Sequence, residues 1–169
     1  MSIFAKATPP PQPKTKNIVA ISYLATGFIV IMVVAQLFTF ENFPALIANL
    51  WLPGGEPTAK IVAALVVIAE VLSLPFLLSM TLSPLFRVVS MTAGWLVGLM
   101  WVVLSLWENL MAGAISASGI FGATIPLPVG WWSVFFSVAL GILVIWTSWG
   151  MWPLMSRSKK RVVRKPSKA

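Results

Sequence analysis

The stretch KIVAALVVIAEVLSLPFLLSM, from Lys60 to Met80, decides the fold because a single acid stands at the centre of an apolar run. Glu70 is about ten residues from either end, which at ~1.5 Å per helical residue is ~15 Å of helix. That depth is the middle of a lipid bilayer, whose hydrocarbon core is ~30 Å thick. A carboxyl group at this depth is costly, and it indicates a functional site turned toward the interior of a helix bundle.

The composition indicates a protein that uses lipid as its solvent. Of the 169 residues, 59% are hydrophobic and only 9% are charged, whereas a soluble domain carries charge on roughly a quarter of its residues. The chain has no cysteine, histidine or aspartate. This excludes disulfide scaffolds, thiol redox relays and the usual zinc, haem and iron–sulfur ligand sets. Four glutamates are the whole acidic inventory, so we expect no metal site.

Four apolar runs predict an all-α fold, an integral membrane four-helix bundle with antiparallel helices in one domain, 17–153. The helices are expected at about 18–40, 60–81, 84–107 and 131–152. Ser83-Pro84 is predicted to cap the start of the third helix, and Pro75 is predicted to kink the second. The flanking segments are predicted to be a disordered tail rich in proline and lysine, 1–16, and a basic tail, 154–169.

The two connections on the far side are predicted to lie in the membrane interface. In the first, FPALIANLW is apolar but too short to span, so Pro44 is expected to open a short helix and Trp51 to anchor it. The second, from Glu108 to Gly130, contains no lysine or arginine. Its glycines and prolines argue against a fifth span and favour a turn lying on the bilayer.

The distribution of cations predicts the orientation. With four spans, the lysines and arginines fall mainly on one side of the membrane, with only Lys60 on the other. Cytoplasmic loops carry the excess of these residues, so both termini are expected in the cytoplasm of a prokaryotic inner membrane. The cations on that side are Lys6, Lys14, Lys16, Arg87 and the seven from Arg157 to Lys168.

The basic tail accounts for most of the net charge of +8. Because the tail follows an apolar segment directly, it favours contact with anionic lipid headgroups rather than with nucleic acid. The residues expected to make that contact are Lys159, Lys160, Arg161, Arg164 and Lys165.

Small residues recur at four-residue spacing in the third and fourth helices. Such spacing lets transmembrane helices approach closely, and its presence in both favours tight packing between them. The residues are Ser90, Gly94 and Gly98 in one helix and Ser133, Ser137 and Gly141 in the other.

The ligand or proton-linked candidates are Glu70, Ser73, Gln36 and Arg87. Glu70 has three interpretations: a protonated structural acid bonded to a neighbouring helix, a proton or cation carrier, or a hydrogen-bonding partner for a quinone or lipid headgroup. Ser73 lies one turn along the same helix face. Gln36 could bond to another helix or turn to water. Arg87 is expected to extend toward the interface as an anchor rather than to pair with Glu70.

The run AQLFTFENFPALI, followed by VVIAEVLSLPFLL and two further helices, resembles the DoxX-like/MauE-like group of small four-helix membrane proteins. In that group a polar or basic residue followed by leucine ends the first helix, and a glutamate lies in the second. Gln36-Leu37 and Glu70 occupy these places here, although a cation is common where Gln36 stands. The resemblance implies a subunit of a quinone-linked oxidoreductase or a factor in assembling periplasmic redox proteins.

These observations predict a non-catalytic integral membrane subunit or accessory protein with a quinone- or lipid-facing site around Glu70. Quinone is the candidate cofactor. Its expected partners are other membrane subunits or further copies of the chain. The alternative is a small proton-coupled transporter that acts as a homodimer with Glu70 as carrier. Autonomous catalysis is not expected, because acid–base chemistry would have few participants.

Overall fold

The computed structural model describes residues 7–50, 52–111, 117–125 and 127–152. Within these ranges the regular structure is helical, with only two isolated β-bridges. Trp51, Lys6 and the whole basic tail, with its five predicted lipid contacts, lie outside the described residues. The helices are α1 (Lys16–Phe38), α2 (Phe43–Ala48), α3 (Gly55–Leu77), α4 (Pro84–Leu110) and α5 (Trp131–Met151).

Four of the helices, α1, α3, α4 and α5, are long and apolar enough to cross a membrane. They contain 23, 23, 27 and 21 residues, which at ~1.5 Å per residue matches or exceeds the ~30 Å of a hydrocarbon core. The prediction of four helices of spanning length is confirmed.

The four long helices form a ring in which each contacts two others. Helices α1 and α4 both pack against α3 and α5. The side chains that fill the centre include Ile29, Met32, Trp101 and Leu140, all almost fully buried. Large apolar side chains also cover the outside, including Leu24, Ile31, Leu99 and Ile145. An outer surface of this kind suits lipid, whereas soluble proteins rarely expose large apolar patches.

Helix ends differ from the predicted ones where the backbone turns sharply. Helix α3 begins at Gly55 rather than near Lys60, directly after Gly54, whose φ of 98° is left-handed. Its first turn is joined to the second by an ion pair of 2.7 Å between Glu56 and Lys60. It ends at Leu77, before Ser79 at φ 54°. The predicted cap of α4 is confirmed, since the Ser83 hydroxyl accepts from the Phe86 amide at 3.3 Å.

Two connections close one end of the ring, which we call the capped end: helix α2 and residues 117–125. Phe43 and Ile47 of α2 are fully buried, as is Ile120 of the second connection. The prediction that Pro44 opens a short helix is confirmed. The second connection was predicted to lie on the bilayer, but its described part folds back into the ring, where Ile120 meets the core.

The opposite end, which we call the Arg87 end, contains residues 7–15, the short connection 78–83 and Arg87. Thr8 and Leu82 exchange two backbone hydrogen bonds of 3.0 and 3.3 Å. The Lys14 amide donates to the Gly150 carbonyl at 3.1 Å. Residues 7–15 belong to the segment predicted to be a disordered tail, and here they lie against the connection 78–83, the start of α4 and the end of α5.

Candidate functional site

The centre of the ring contains a cluster of three polar side chains from three helices, Gln36, Glu70 and Trp101, which we call the Glu70 cluster. All three are fully buried. Glu70 Oε1 accepts a hydrogen bond from Trp101 Nε1 of α4 at 2.8 Å and from Gln36 Nε2 of α1 at 3.3 Å. One oxygen of the acid therefore links α3 to both α1 and α4.

The sequence of α3 explains why Glu70 points inward. Most of its buried residues recur at intervals of three or four, so they share one helix face: Ala59, Ala63, Val66, Glu70, Ser73 and Leu77. The members of this stripe on either side of Glu70 are small or β-branched, which brings neighbouring helices close to the carboxyl group. The acid is therefore part of the buried face, in agreement with the expectation for an intramembrane carboxyl.

Gln36 connects the Glu70 cluster to the capped end. Its Nε2 group also donates to the carbonyl oxygen of Ile120 at 2.9 Å. Nearby, the Thr124 hydroxyl donates to the carbonyl oxygen of Ala35 at 2.7 Å. Of the two predicted orientations, the structure has Gln36 bonded to another helix, and it adds a bond to a connection that the sequence did not indicate.

Two buried atoms of the Glu70 cluster have no hydrogen-bond partner among the described residues, Glu70 Oε2 and Gln36 Oε1. A carboxylic acid carries a donor on one oxygen and an acceptor on the other, and an amide oxygen is an acceptor. The observed pattern, with two bonds accepted at Glu70 Oε1, fits a neutral acid whose hydroxyl is Oε2. A buried ionised carboxylate would need a cation, and the ion pair found within the described ranges joins Lys60 to Glu56.

The other two candidates do not touch the carboxyl group of Glu70. The Ser73 hydroxyl donates to the backbone carbonyl of Glu70 at 2.6 Å. Arg87 Nη2 donates to Thr8 and Pro9. The carboxyl group is also closed off from the surroundings, because Glu70 has no exposed surface. In this arrangement a quinone reaches Glu70 only if the helices separate.

Two functional residues were missed by the sequence analysis, Trp101 and Glu108. Glu108 was treated as the start of a connection, yet it lies inside α4 and is fully buried. Its Oε1 accepts from the Gly119 amide at 3.2 Å, and its Oε2 has no partner among the described residues. Seven residues separate Trp101 from Glu108, which puts both on one face of α4. That spacing indicates that Glu108 is buried only once Trp101 is known to face the core.

The predicted packing residues divide between two interfaces. A Cβ atom on Gly98 would lie 2.9 Å from the Cα atom of Gly141, so α4 and α5 meet there backbone to backbone. A Cβ atom on Gly94 would lie 3.0 Å from Val144 of α5 and 3.6 Å from Ser73 of α3. On α5, the hydroxyls of Ser133 and Ser137 bond within their own helix region, to the carbonyls of Gly130 and Ser133.

Ser90 faces α3 instead of α5 and supports the backbone around Pro75. Its hydroxyl donates to the Leu72 carbonyl at 2.6 Å and accepts from the Phe76 amide at 3.0 Å. These two backbone groups are residues i and i+4 of α3 and flank Pro75. Serine hydroxyls on neighbouring helices satisfy backbone groups near a proline in membrane helices in this way.

No family model, curated protein or solved structure matches this chain.

Proposed function

We propose that the chain is a multi-pass protein of a prokaryotic cytoplasmic membrane, an antiparallel four-helix bundle with both termini in the cytoplasm. The antiparallel arrangement is supported by residue pairs between α4 and α5: Trp95 donates to Ser148 at 3.0 Å, whereas Asn109, later in α4, donates to the carbonyl of Gly130, just before α5. The orientation is supported by the cations, because Lys14 and Arg87 lie at one end and Lys60 lies near the start of α3 at the other.

Reporter fusions test this topology. A reporter active only in the periplasm should give no signal after Lys168 and a strong signal between Gly113 and Gly122. Reversed signals would overturn the orientation. Signals from both positions would remove the four-span arrangement.

Within that membrane, the chain acts as a non-catalytic subunit or accessory protein of the DoxX-like type. The observation that supports this most directly is the buried contact between Gln36 and Glu70, since these are the two positions on which the resemblance depends. The contact joins the end of α1 to the centre of α3, and Trp101 extends it to α4. Because Glu70 is enclosed and links three helices, it is better placed to stabilise the bundle than to react with a substrate. Other membrane subunits, further copies of the chain and anionic lipids remain the proposed partners.

Two substitutions of Glu70 test this role. Glu70→Gln keeps an oxygen that accepts from Trp101 and Gln36, so expression, thermal stability and recovery of bound partners should stay close to wild type. Glu70→Ala leaves the Trp101 Nε1 donor unpaired in the core, whereas Gln36 Nε2 keeps its bond to Ile120. The expected cost is ~1–3 kcal/mol in the free energy of unfolding. The exposed acid Glu41 offers a matched control, and Glu41→Ala should have little effect. If Glu70→Gln lowered stability as much as Glu70→Ala, the assignment of Glu70 as a neutral structural acid would be wrong.

A proton-coupled transporter working as a homodimer is the second candidate, and one observation favours it. Glu70 and Glu108 are both buried, and each has an unpartnered Oε2 atom among the described residues. Trp101 bonds to Glu70 and lies seven residues before Glu108, which is roughly two helical turns or ~10 Å along α4. Two proton-holding groups within one bundle are the minimum for a relay.

Purified protein in liposomes with a trapped pH dye separates the two functions. The subunit proposal expects no proton movement in wild type, Glu70→Gln or Glu108→Gln. Proton movement that responds to a substrate gradient in wild type and is lost in Glu70→Gln would establish the transporter instead.

A further inference from the structure

An apolar groove opens at the Arg87 end of the bundle. It lies between the end of α3, the start of α4 and the end of α5, and its volume is about 210 Å³. Three of its residues, Phe76, Met91 and Met151, are almost completely buried and form its floor. The complete lining is Phe76, Pro84, Arg87, Val88, Met91, Met151 and Trp152.

Among the described residues, Arg87 is the only charged member of this lining, and no glutamate forms an ion pair with it. Its Nη2 atom donates to three neutral oxygens, the Thr8 carbonyl at 2.9 Å, the Thr8 hydroxyl at 3.1 Å and the Pro9 carbonyl at 3.0 Å. These bonds hold the guanidinium group in place. All four glutamates are among the described residues, and the ion pair found there joins Glu56 to Lys60. Arg87 therefore keeps a full positive charge beside an apolar groove.

The position of the groove along the helices matches the level of lipid headgroups. Arg87 lies in the first turn of α4, and Trp152 follows the last residue of α5. Arginine and tryptophan at helix ends are typical of the membrane interface. Basic pockets between helices at this level bind acidic lipid headgroups. The bonds of Arg87 to Thr8 and Pro9 come from Nη2, so the phosphate would be bound through Nε or Nη1.

The groove is smaller than a usual pocket for a complete small molecule, and its apolar floor suits a segment of an acyl chain. Pockets for drug-sized ligands and cofactors usually measure ~300–1,000 Å³, which is larger than this groove. A quinone is also uncharged and would leave the charge of Arg87 without a counterpart. A phospholipid has an acyl chain that suits the apolar floor of the groove and a phosphate anion that suits Arg87 at its rim.

We propose that this groove binds one acyl chain of an anionic phospholipid, whose phosphate group pairs with Arg87. The site is separate from the basic tail and from the Glu70 cluster. The lipid site depends on the proposed membrane location but not on the role of Glu70. A negative result with the Glu70 variants would therefore leave the lipid proposal standing, and a negative lipid result would leave the Glu70 proposal standing.

The test uses the full-length chain in mild detergent with equal amounts of phosphatidylglycerol and phosphatidylcholine, and native mass spectrometry to count bound lipids. Wild type should retain more phosphatidylglycerol than Arg87→Gln by ~5-fold, the ratio that corresponds to ~1 kcal/mol per cation near a lipid phosphate. Lys60→Gln, at the other end of the bundle, serves as the charge control and should match wild type.

A second pair of variants tests the groove itself. Val88 lies on the exposed rim, so Val88→Trp should cover the groove without disturbing the core and should lower retention of both lipids. Val138 lines a different surface groove of α4 and α5 that contains no charged residue, and Val138→Trp should leave retention unchanged.

Each outcome decides the proposal. Equal retention of phosphatidylglycerol by wild type, Arg87→Gln and Val88→Trp would overturn it and would assign any lipid preference to the basic tail. Absence of bound phospholipid from wild type would overturn it as well. Loss of the preference in Arg87→Gln, with reduced binding in Val88→Trp and no change in the two controls, supports it.

Discussion

The capped end and the Arg87 end belong to the same four helices but are closed to different degrees, and the lengths of their connections explain the difference. At the capped end, the long connections 39–54 and 111–130 supply α2 and a folded segment that buries Ile120. At the Arg87 end, the connection 78–83 is much shorter, and in the part of the chain that the structure describes a groove remains there. Connections therefore determine where such a bundle is sealed and where a ligand can enter.

The largest expected effect comes from the same substitution made at each end. Gly122 has a φ of 61°, and a Cβ atom there would lie 2.9 Å from the Cα atom of Gln36. Gly122→Ala therefore combines left-handed strain with a collision against the α1 backbone, and should cost ~2–4 kcal/mol in unfolding free energy. At the Arg87 end, a Cβ atom on Gly150 would collide with the buried side chain of Ile18, whose Cγ1 and Cγ2 atoms would lie 2.6 and 2.8 Å away. Gly150 adds no left-handed strain and Gly150→Ala gains helix propensity, so its net cost should be smaller, ~1–3 kcal/mol.

Thermal unfolding of both variants in one detergent checks this difference. A larger loss for Gly150→Ala would show that the Arg87 end, and not the cap, is the more tightly fitted region.

The next effect concerns the buried acid of the capped end. Glu108→Ala removes the acceptor for the buried Gly119 amide, which should cost ~1–3 kcal/mol. Glu108→Gln keeps an acceptor and should remain close to wild type. Denaturation in detergent, with the exposed Glu41→Ala as control, measures both. If Glu108→Ala matched the control, the bond to Gly119 would contribute nothing to closing the cap.

The smallest effect is a gain at the Arg87 end. Ser79 has a φ of 54°, which costs a residue with a Cβ atom ~1–2 kcal/mol. Ser79→Gly relieves this strain but increases the entropy of the unfolded chain by ~0.4–1 kcal/mol. The net result should be a slightly higher melting temperature. Ser79→Ala keeps the strain and loses the contact of 3.3 Å with Met151 sulfur, so it should not share the gain. A lower melting temperature for Ser79→Gly would mean that this contact outweighs the strain.

The sequence was sufficient to locate the four long helices and their central acid. The lengths of the apolar runs indicate the four helices directly, and the position of Glu70 in the middle of its run indicates a central acid. Helix ends were less accurate, because they depend on single backbone conformations such as those of Gly54 and Ser79.

The partners of the acid were harder to predict. Trp101 donates the shorter bond to Glu70, but in an apolar helix a tryptophan looks like any other large side chain. The burial of Glu108 depends on residues 117–125 folding back over it, and no local pattern records that path. In a helix that is apolar on all sides, the rotation about its axis is set by packing, so the direction of an uncharged side chain cannot be read from periodicity.

The Glu70 cluster also has a consequence for biogenesis. Helices enter the membrane in chain order, and the shorter bond to Glu70 comes from α4, which is made after α3. An unsatisfied polar group in lipid costs several kcal/mol. Inserting α3 before α4 would therefore expose the Glu70 carboxyl to the bilayer without its Trp101 partner. We expect α3 and α4 to insert together as a hairpin through the short connection 78–83. A nascent chain stopped after Leu77 should then be degraded faster than one stopped after Leu110, and equal lifetimes would argue for insertion of α3 by itself.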